Sequence, residues 1–171
     1  DVYKRQGYLY NANNTPFKST STNENPNSKD FPKEMGYSLY DNNRSTRIYE
    51  LIESYEKIDF SDFKSIKFDY KYPTPFTFNF VDVNEIMEMN PEDYPDISDL
   101  IIEIQNWDRS TSSDSLGAGI FAIFYYNLGK YIRKPYINRN LSKNLIAQML
   151  RDVKAYMLKH FNKTNVRLGE Y

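Results

Sequence analysis

The feature that most constrains the fold of this chain is an apolar run from Leu116 to Tyr126. Ser113 can cap a helix that includes this run and continues to about Lys134, where Pro135 ends it. Because this helix is apolar on almost every side, other elements have to cover it on almost every side. The run is too short to cross a bilayer, so the sequence predicts a buried central helix in a protein core.

Amphipathic helices before and after this segment are predicted to supply the cover. They are expected at residues 42–57 after a cap at Asp41, 61–69 with a cap at Ser61, 95–107, and 142–161 with a cap at Ser142. Their apolar residues recur three and four positions apart, as on one face of a helix. The inward faces are predicted to consist of Ile48, Leu51, Ile52 and Tyr55; of Ile97, Ile101, Ile104 and either Trp107 or Asp108; and of Ile146, Leu150, Val153 and Met157.

The segments between the helices are predicted to be extended or looped. Gly7–Tyr10 has the composition of a short strand, which the following asparagines end. Residues 17–36 are polar and predict a mobile loop or a linker. Residues 70–83, with alternating phenylalanines, are expected to be a strand or an extended loop, and residues 165–171 a loop entering a strand. The prediction is therefore a mostly helical α+β chain with a short strand near each end.

Composition excludes several kinds of function. The net charge is −1, from 22 basic and 23 acidic residues, so no overall field favours nucleic acid as a partner. The chain contains no cysteine, which excludes disulfides and thiol nucleophiles. Its single histidine, His160, is predicted in the last turn of a helix, where the helix dipole favours a cation. This chain alone therefore cannot assemble a Ser-His-Asp triad or a multi-histidine metal site.

Two further patterns have a structural interpretation that outweighs the functional one. The first is the pair Gly117 and Gly119, which lies inside a helical pattern and predicts close packing rather than a phosphate-binding loop. The second is an acidic helix start that the dipole favours, with a calcium site as the alternative. Its members are Asp93, Asp96, Asp99 and Glu103.

Arg44 and an asparagine cluster are less easily explained by structure alone. Arg44 is expected near the apolar stripe at the N-terminal end of its helix, where the dipole disfavours a cation, so it needs an anionic partner or a functional role. The pattern favours a structural ion pair for Arg44, and it predicts that Arg47 is solvated. Asn11–Asn14 is typical of a turn, with one alternative: an asparagine amide at a strand end can donate a hydrogen bond to a developing oxyanion.

Five segments, taken in order, resemble the penicillin acylase family of N-terminal nucleophile hydrolases. GYLYNANNTP resembles the strand and turn that carry the family's oxyanion-hole asparagine. YDNNRSTRIYELIES resembles its arginine-containing helix, and IDFSDFKSIKFD the short helix that follows. NWDRSTSSDSLGAGIFAIFYYNL resembles its Trp-Asp turn with a helix rich in small residues, and HFNKTNVRLGEY the approach to a strand. The resemblance covers nearly everything after residue 6.

The resemblance implies a fold and a mechanism. The fold is a four-layered αββα sandwich, of which this chain would be a helical part of the large subunit. The mechanism is hydrolysis of a small N-acyl amide through an acyl-enzyme on a serine that self-cleavage exposes at a new N-terminus. The α-amine of that serine acts as the base, so no histidine is required. The family relationship also implies a secreted or periplasmic enzyme, matured from a zymogen.

The resemblance assigns roles to particular residues. Asn13 matches the oxyanion-hole asparagine, and Arg44 matches the arginine that positions the surroundings of the nucleophile. The nucleophile is expected in the upstream chain of the same precursor, so this chain alone is expected to be inactive, and Ser61, Ser113 and Ser115 are not substitutes for it. No cofactor is required. A structural calcium ion in the full-length protein lacks support here, because only Glu34 lies near the expected ligand position.

The ends of the chain and its specificity leave several interpretations open. Residues 1–6 resemble the translation of a transposon end used in sequencing libraries, with a native basic arm as the alternative, and residues 7–171 are interpreted as a partial acylase domain. The sequence is compatible with β-lactams that carry an acyl side chain, with N-acyl-homoserine lactones and with other N-acyl compounds as substrates. The alternatives are an N-acyl-homoserine lactone acylase and a non-catalytic helical interaction module.

Overall fold

The computed structural model describes residues 7–21, 23–74, 81–82, 84–131 and 139–171. The chain divides into two compact units, an N-terminal unit of residues 1–69 and a C-terminal unit of residues 70–171. The predicted artefact at residues 1–6, the phenylalanines of residues 75–80 and the end of the central helix beyond residue 131 lie outside the described residues.

The N-terminal unit contains two helices, α1 (Asn43–Glu53) and α2 (Phe60–Lys67). Both begin with a capping box, but the capping residues are Asn42 and Asp59 rather than the predicted Asp41 and Ser61. Asp41 instead forms an ion pair with Lys18 at 2.9 Å. Each cap lies within two residues of its predicted position because several capping residues precede each helix, and only the backbone geometry selects one of them.

The predicted loop before α1 is held together by side-chain hydrogen bonds. Asn25 Oδ1 accepts from the backbone amides of Ser19 and Thr20 at 2.7 and 3.2 Å, while its Nδ2 donates to the carbonyls of Thr20 and Ser21, both at 3.0 Å. Two short 3₁₀ turns follow, at Ser28–Asp30 and Lys33–Met35. Asparagine is well suited to this role because its amide is both a donor and an acceptor for the backbone.

The C-terminal unit is built around the predicted central helix. Its helices are α3 (Ser98–Asn106), α4 (Leu116–Tyr131) and α5 (Lys143–Phe161), and α4 packs against both of the others. Along α4 the side chains from Ala118 to Phe121, together with Ile123 and Phe124, lie in the core apart from Gly119, which has no side chain. The helix is exposed at Tyr125 and Tyr126, and Asn127 beyond them is buried, so burial is most extensive between residues 117 and 124.

The helix faces predicted to point inward in the C-terminal unit are confirmed. The residues of both faces are at least 92 % buried: Ile97, Ile101, Ile104 and Trp107 beside α3, and Ile146, Leu150, Val153 and Met157 of α5. Ser142 caps α5 as predicted. The corresponding stripe of α1, at Ile48, Leu51, Ile52 and Tyr55, is only partly buried.

The predicted short strands near both ends are not confirmed. Gly7–Tyr10 belongs to no strand, and residues 168–170 form a 3₁₀ turn whose backbone bonds to Ser113 and Ser115 before α4. In the described part of the chain, strands occur only as a two-residue parallel pair, β1 (Val81–Asp82) with β2 (Arg139–Asn140). A strand forms only where a partner completes its ladder of hydrogen bonds, which the sequence of a single segment does not reveal.

Candidate functional site

The candidate site begins with a turn at Asn11–Asn14 that its own side chains stabilise. The backbone amide of Asn13 donates to Asn11 Oδ1 at 2.9 Å, and the amide of Ala12 donates to Asn14 Oδ1 at 2.8 Å. Asn14 Nδ2 extends the network to the carbonyl of Lys18 at 2.6 Å. The turn predicted from the asparagine cluster is therefore confirmed.

Asn13 has a left-handed backbone conformation within this turn. Its φ is +58°, a region that costs most side chains energy but that asparagine tolerates. Its side chain is exposed, whereas Ala12 beside it is buried. The turn thus presents the Asn13 carboxamide outward on a backbone anchored by the residues on either side.

Arg44, in the first turn of α1, reaches this carboxamide. Its Nη2 donates to Asn13 Oδ1 at 2.6 Å and lies 3.3 Å from the carbonyl oxygen of Ala12. Arg44 is exposed, and no carboxylate among the described residues forms an ion pair with it. The partners of this cation are therefore amide and carbonyl oxygens, and the ion pair predicted from the pattern is wrong.

The contact with Arg44 also determines which way the Asn13 amide is oriented. A guanidinium group has only donors, so the atom that faces it has to be the amide oxygen. Asn13 Nδ2 then points away from Arg44, and within the described residues it meets no acceptor. The arrangement leaves an oriented N–H donor available to an external oxygen atom.

Arg47, one turn further along α1, is the arginine with the structural role. It binds both carboxylate oxygens of Asp69 at 2.8 Å, through Nε and Nη2, and Glu50 Oε2 at 3.2 Å. Its side chain is only 25 % exposed, and the hydrogen bond to Asp69 raises its pKa. The prediction that Arg47 is solvated is therefore wrong, because α2 ends in a position that places Asp69 beside it.

Asn42 is a residue that the sequence interpretation missed. Its Oδ1 accepts from the amide of Ser45 at 3.0 Å, and its Nδ2 donates to the carbonyl oxygens of Ala12 and Asn13 at 2.8 and 3.0 Å. The preference for asparagine immediately before a helix would have identified it as a cap. The two bonds to the turn span about 30 positions of the chain and have no local signal.

The histidine and the acidic residues considered as candidates make contacts that are typical of structural roles. His160 is exposed and packs on the ring of Tyr156 at 4.3 Å between centroids. The carboxylate of Asp96 accepts from Arg151 at 2.6 Å, and that of Asp99 accepts from Lys154 at 2.8 Å. Over the described ranges, neither these carboxylates nor the region of Glu34 forms a group of three or more acidic or histidine side chains that could hold a metal ion.

The serines that could be mistaken for a nucleophile have local roles or an exposed position. Ser115 Oγ accepts from the amide of Ala118 at the start of α4, and the carbonyl of Ser113 accepts from Gly169 at 2.8 Å. Ser61 is exposed in the first turn of α2. The described helices also include none that is long and apolar enough to cross a membrane.

Comparison with known proteins identifies the family. The family model for penicillin amidase matches residues 2–168, almost the whole chain. No curated protein and no solved structure matches the chain. The matched range includes the asparagine turn, the arginine helix and the glycine-containing central helix. The chain belongs to the penicillin amidase family.

Proposed function

We propose that this chain supplies the oxyanion-stabilising part of an acylase, in which Asn13 Nδ2 donates a hydrogen bond to the substrate's carbonyl oxygen. The penicillin amidase family consists of amide hydrolases. In amide hydrolysis, negative charge develops on that oxygen as the tetrahedral intermediate forms, and a fixed donor stabilises this charge more than it stabilises the ground state.

The observation that carries the proposal is the 2.6 Å hydrogen bond from Arg44 to Asn13 Oδ1. It prevents the amide from turning its oxygen toward the substrate, which would repel the oxyanion. The positive charge of Arg44 also polarises the amide and makes its N–H groups stronger donors. Orientation before the reaction matters because a preorganised donor needs no rearrangement in the transition state.

The chemistry requires a nucleophile, which we propose is an N-terminal serine in a preceding segment of the same precursor. Its Oγ attacks the amide carbonyl and transfers its proton to the serine's own α-amine. The C–N bond then breaks, the leaving nitrogen takes that proton, and an acyl-enzyme remains. Water attacks the ester, releases the carboxylic acid and restores the serine. We further propose that the whole protein is a processed two-chain enzyme of the periplasm or the medium. Its substrates would be small N-acyl amides.

Asn13→Asp in the full-length, processed protein tests the role of the amide donor. Aspartate keeps an acceptor for Arg44 and tolerates the left-handed backbone, but it has no N–H to donate. We expect kcat to fall by about 100- to 1000-fold with a much smaller change in KM. The hydrolysis of a chromogenic phenylacetyl amide and the melting temperature are measured on the same preparation.

Two further variants separate donor loss from other effects. Asn13→Gly keeps the backbone conformation without adding a charge and should lose comparable activity. Asn27→Asp makes the same chemical change in the same unit, at an exposed cap that only accepts from the amide of Lys29 at 3.0 Å, and should keep normal kcat. If processed Asn13→Gly retains kcat within about threefold of wild type, far from the loss expected for an oxyanion donor, the proposal is wrong.

A further inference from the structure

We propose that Asn42 is a positioning residue for Asn13, joining the asparagine turn to the start of α1. The inference rests on the proposed function, since positioning matters only if Asn13 donates to the substrate. Arg44 holds the Asn13 side chain, but a side chain is placed only as accurately as its backbone. The side chain of Asn42, the residue that caps α1, bonds to the backbone carbonyl of Asn13.

The carboxamide of Asn42 makes three hydrogen bonds at once. Its oxygen caps α1 through the amide of Ser45 at 3.0 Å. Its nitrogen donates to the carbonyl oxygens of Ala12 at 2.8 Å and of Asn13 at 3.0 Å. Both hydrogens of the amide therefore bind the turn, while the oxygen binds the helix from which Arg44 projects.

This combination requires an asparagine. Serine and aspartate cap helices about as well as asparagine, but aspartate has no donor and the serine hydroxyl is shorter and carries a single hydrogen. A cap alone would not select asparagine at this position. The two bonds to the turn are the additional reason for an asparagine. One of them holds the carbonyl group of Asn13, the residue whose backbone is left-handed with a φ of +58°.

For catalysis, the bonds from Asn42 matter because they determine where the Asn13 amide lies. Asn42 caps α1 and Arg44 lies in its first turn, so the backbone and the side chain of Asn13 are both held by the start of one helix. Without the bonds from Asn42, the turn can shift relative to α1, and a displacement of about 1 Å at a reacting centre can cost about 100-fold in rate. The loss should appear in kcat, because the oxyanion forms only in the transition state.

Asn42→Ser in the full-length, processed protein tests the inference, because serine keeps the cap and loses the bonds to the turn. We expect kcat to fall about 10-fold while KM stays within about twofold. Asp59→Ser is the matched control, since it exchanges the capping residue of α2, which accepts from the amide of Asp62 at 2.9 Å. The control should keep the wild-type kcat. If Asn42→Ser fails to mature, Asn42→Asp replaces it in the test. Aspartate also caps the helix but has no donor for the turn, so the same loss in kcat is expected.

A double-mutant cycle shows whether Asn42 acts through Asn13. In the Asn13→Gly background, Asn42→Ser should change kcat by less than about twofold, because the donor it positions is already absent. A 10-fold loss that persists in that background would overturn the positioning role and leave the proposed function intact. So would normal kcat in Asn42→Ser alone. Normal kcat in Asn13→Gly alone would instead overturn the proposed function and this inference with it.

Discussion

At the scale of single residues, two arginines one helical turn apart have different surroundings. Arg47 is mostly buried between two carboxylates, whereas Arg44 is exposed and donates to amide and carbonyl oxygens. A guanidinium held by carboxylates away from water stabilises the fold, because removing it leaves charged acceptors without partners. An exposed guanidinium contributes little stability, so the contact of Arg44 with Asn13 is compatible with the proposed role in positioning the Asn13 amide.

Arg44→Met and Arg47→Met should therefore have contrasting effects. Arg44→Met should lower kcat about 10-fold, because the Asn13 amide is free to rotate, with the free energy of unfolding changed by less than about 0.5 kcal/mol. Arg47→Met should lower the free energy of unfolding by about 2 kcal/mol, from lost hydrogen bonds to charged groups. Urea unfolding and turnover per folded, processed molecule measure both. The assignment fails if Arg44→Met behaves like Arg47→Met.

At the scale of elements, the packing of α4 depends on glycine at two positions. A Cβ at Gly117 would lie 2.3 Å from the Trp107 ring, and one at Gly119 would lie 2.2 Å from the carbonyl oxygen of Val166. Both distances are far inside van der Waals contact. The segment after α5 can cross α4 at this distance only because the helix has no side chain there, which is the close packing that the glycine pair predicted.

Gly119→Ala and Gly129→Ala, two identical substitutions in α4, should change stability in opposite directions. Alanine at Gly119 meets backbone that cannot move aside easily, so we expect a loss of about 3 kcal/mol. Alanine at Gly129, where a Cβ meets nothing within 4 Å, should add up to about 1 kcal/mol from helix propensity. Urea unfolding of both variants checks this, and equal shifts would contradict the packing described for α4.

At the scale of the whole molecule, the C-terminal unit is stabilised by hydrogen bonds between its helices as well as by its apolar core. Tyr131, the last residue of α4, donates a hydrogen bond to Asp152 of α5. That bond, and to a smaller extent burial, raises the pKa of Tyr131 to about 12 from its ordinary value of 10.0. The neutral phenol is therefore favoured in the folded state, and its contribution is complete below pH 10 and lost as the pH rises through 12.

Tyr131→Phe should show this dependence. At pH 7 the variant should be less stable by about 1 kcal/mol, the typical value of one hydrogen bond. The difference from wild type should shrink between pH 10 and pH 12, because the wild-type phenol loses its proton there and the variant has none to lose. Urea unfolding at several pH values measures it. A difference that stays constant through pH 12 would show that this hydrogen bond does not link stability to the ionisation of Tyr131.

The sequence by itself determined the helical part of the fold and the family. The apolar period predicted α3 and α5 with their buried faces, because the spacing of apolar residues along the chain sets the face of a helix on which they lie. The nearly continuous apolar run predicted α4 as a buried helix. The order of five segments resembles the penicillin acylase family, and the family match confirms that resemblance. The roles of Asn13 and Arg44 as catalytic groups remain predictions for the experiments above.

Only the tertiary structure decided which polar groups meet. Arg47 pairs with Asp69, Arg44 bonds to Asn13, and Asn42 joins α1 to the turn, each across more than 20 positions of the chain. Periodicity gives the face on which a side chain lies but not the partner that arrives there from a distant segment. The predicted terminal strands failed for the same reason, since a strand depends on hydrogen bonds from a partner elsewhere in the protein.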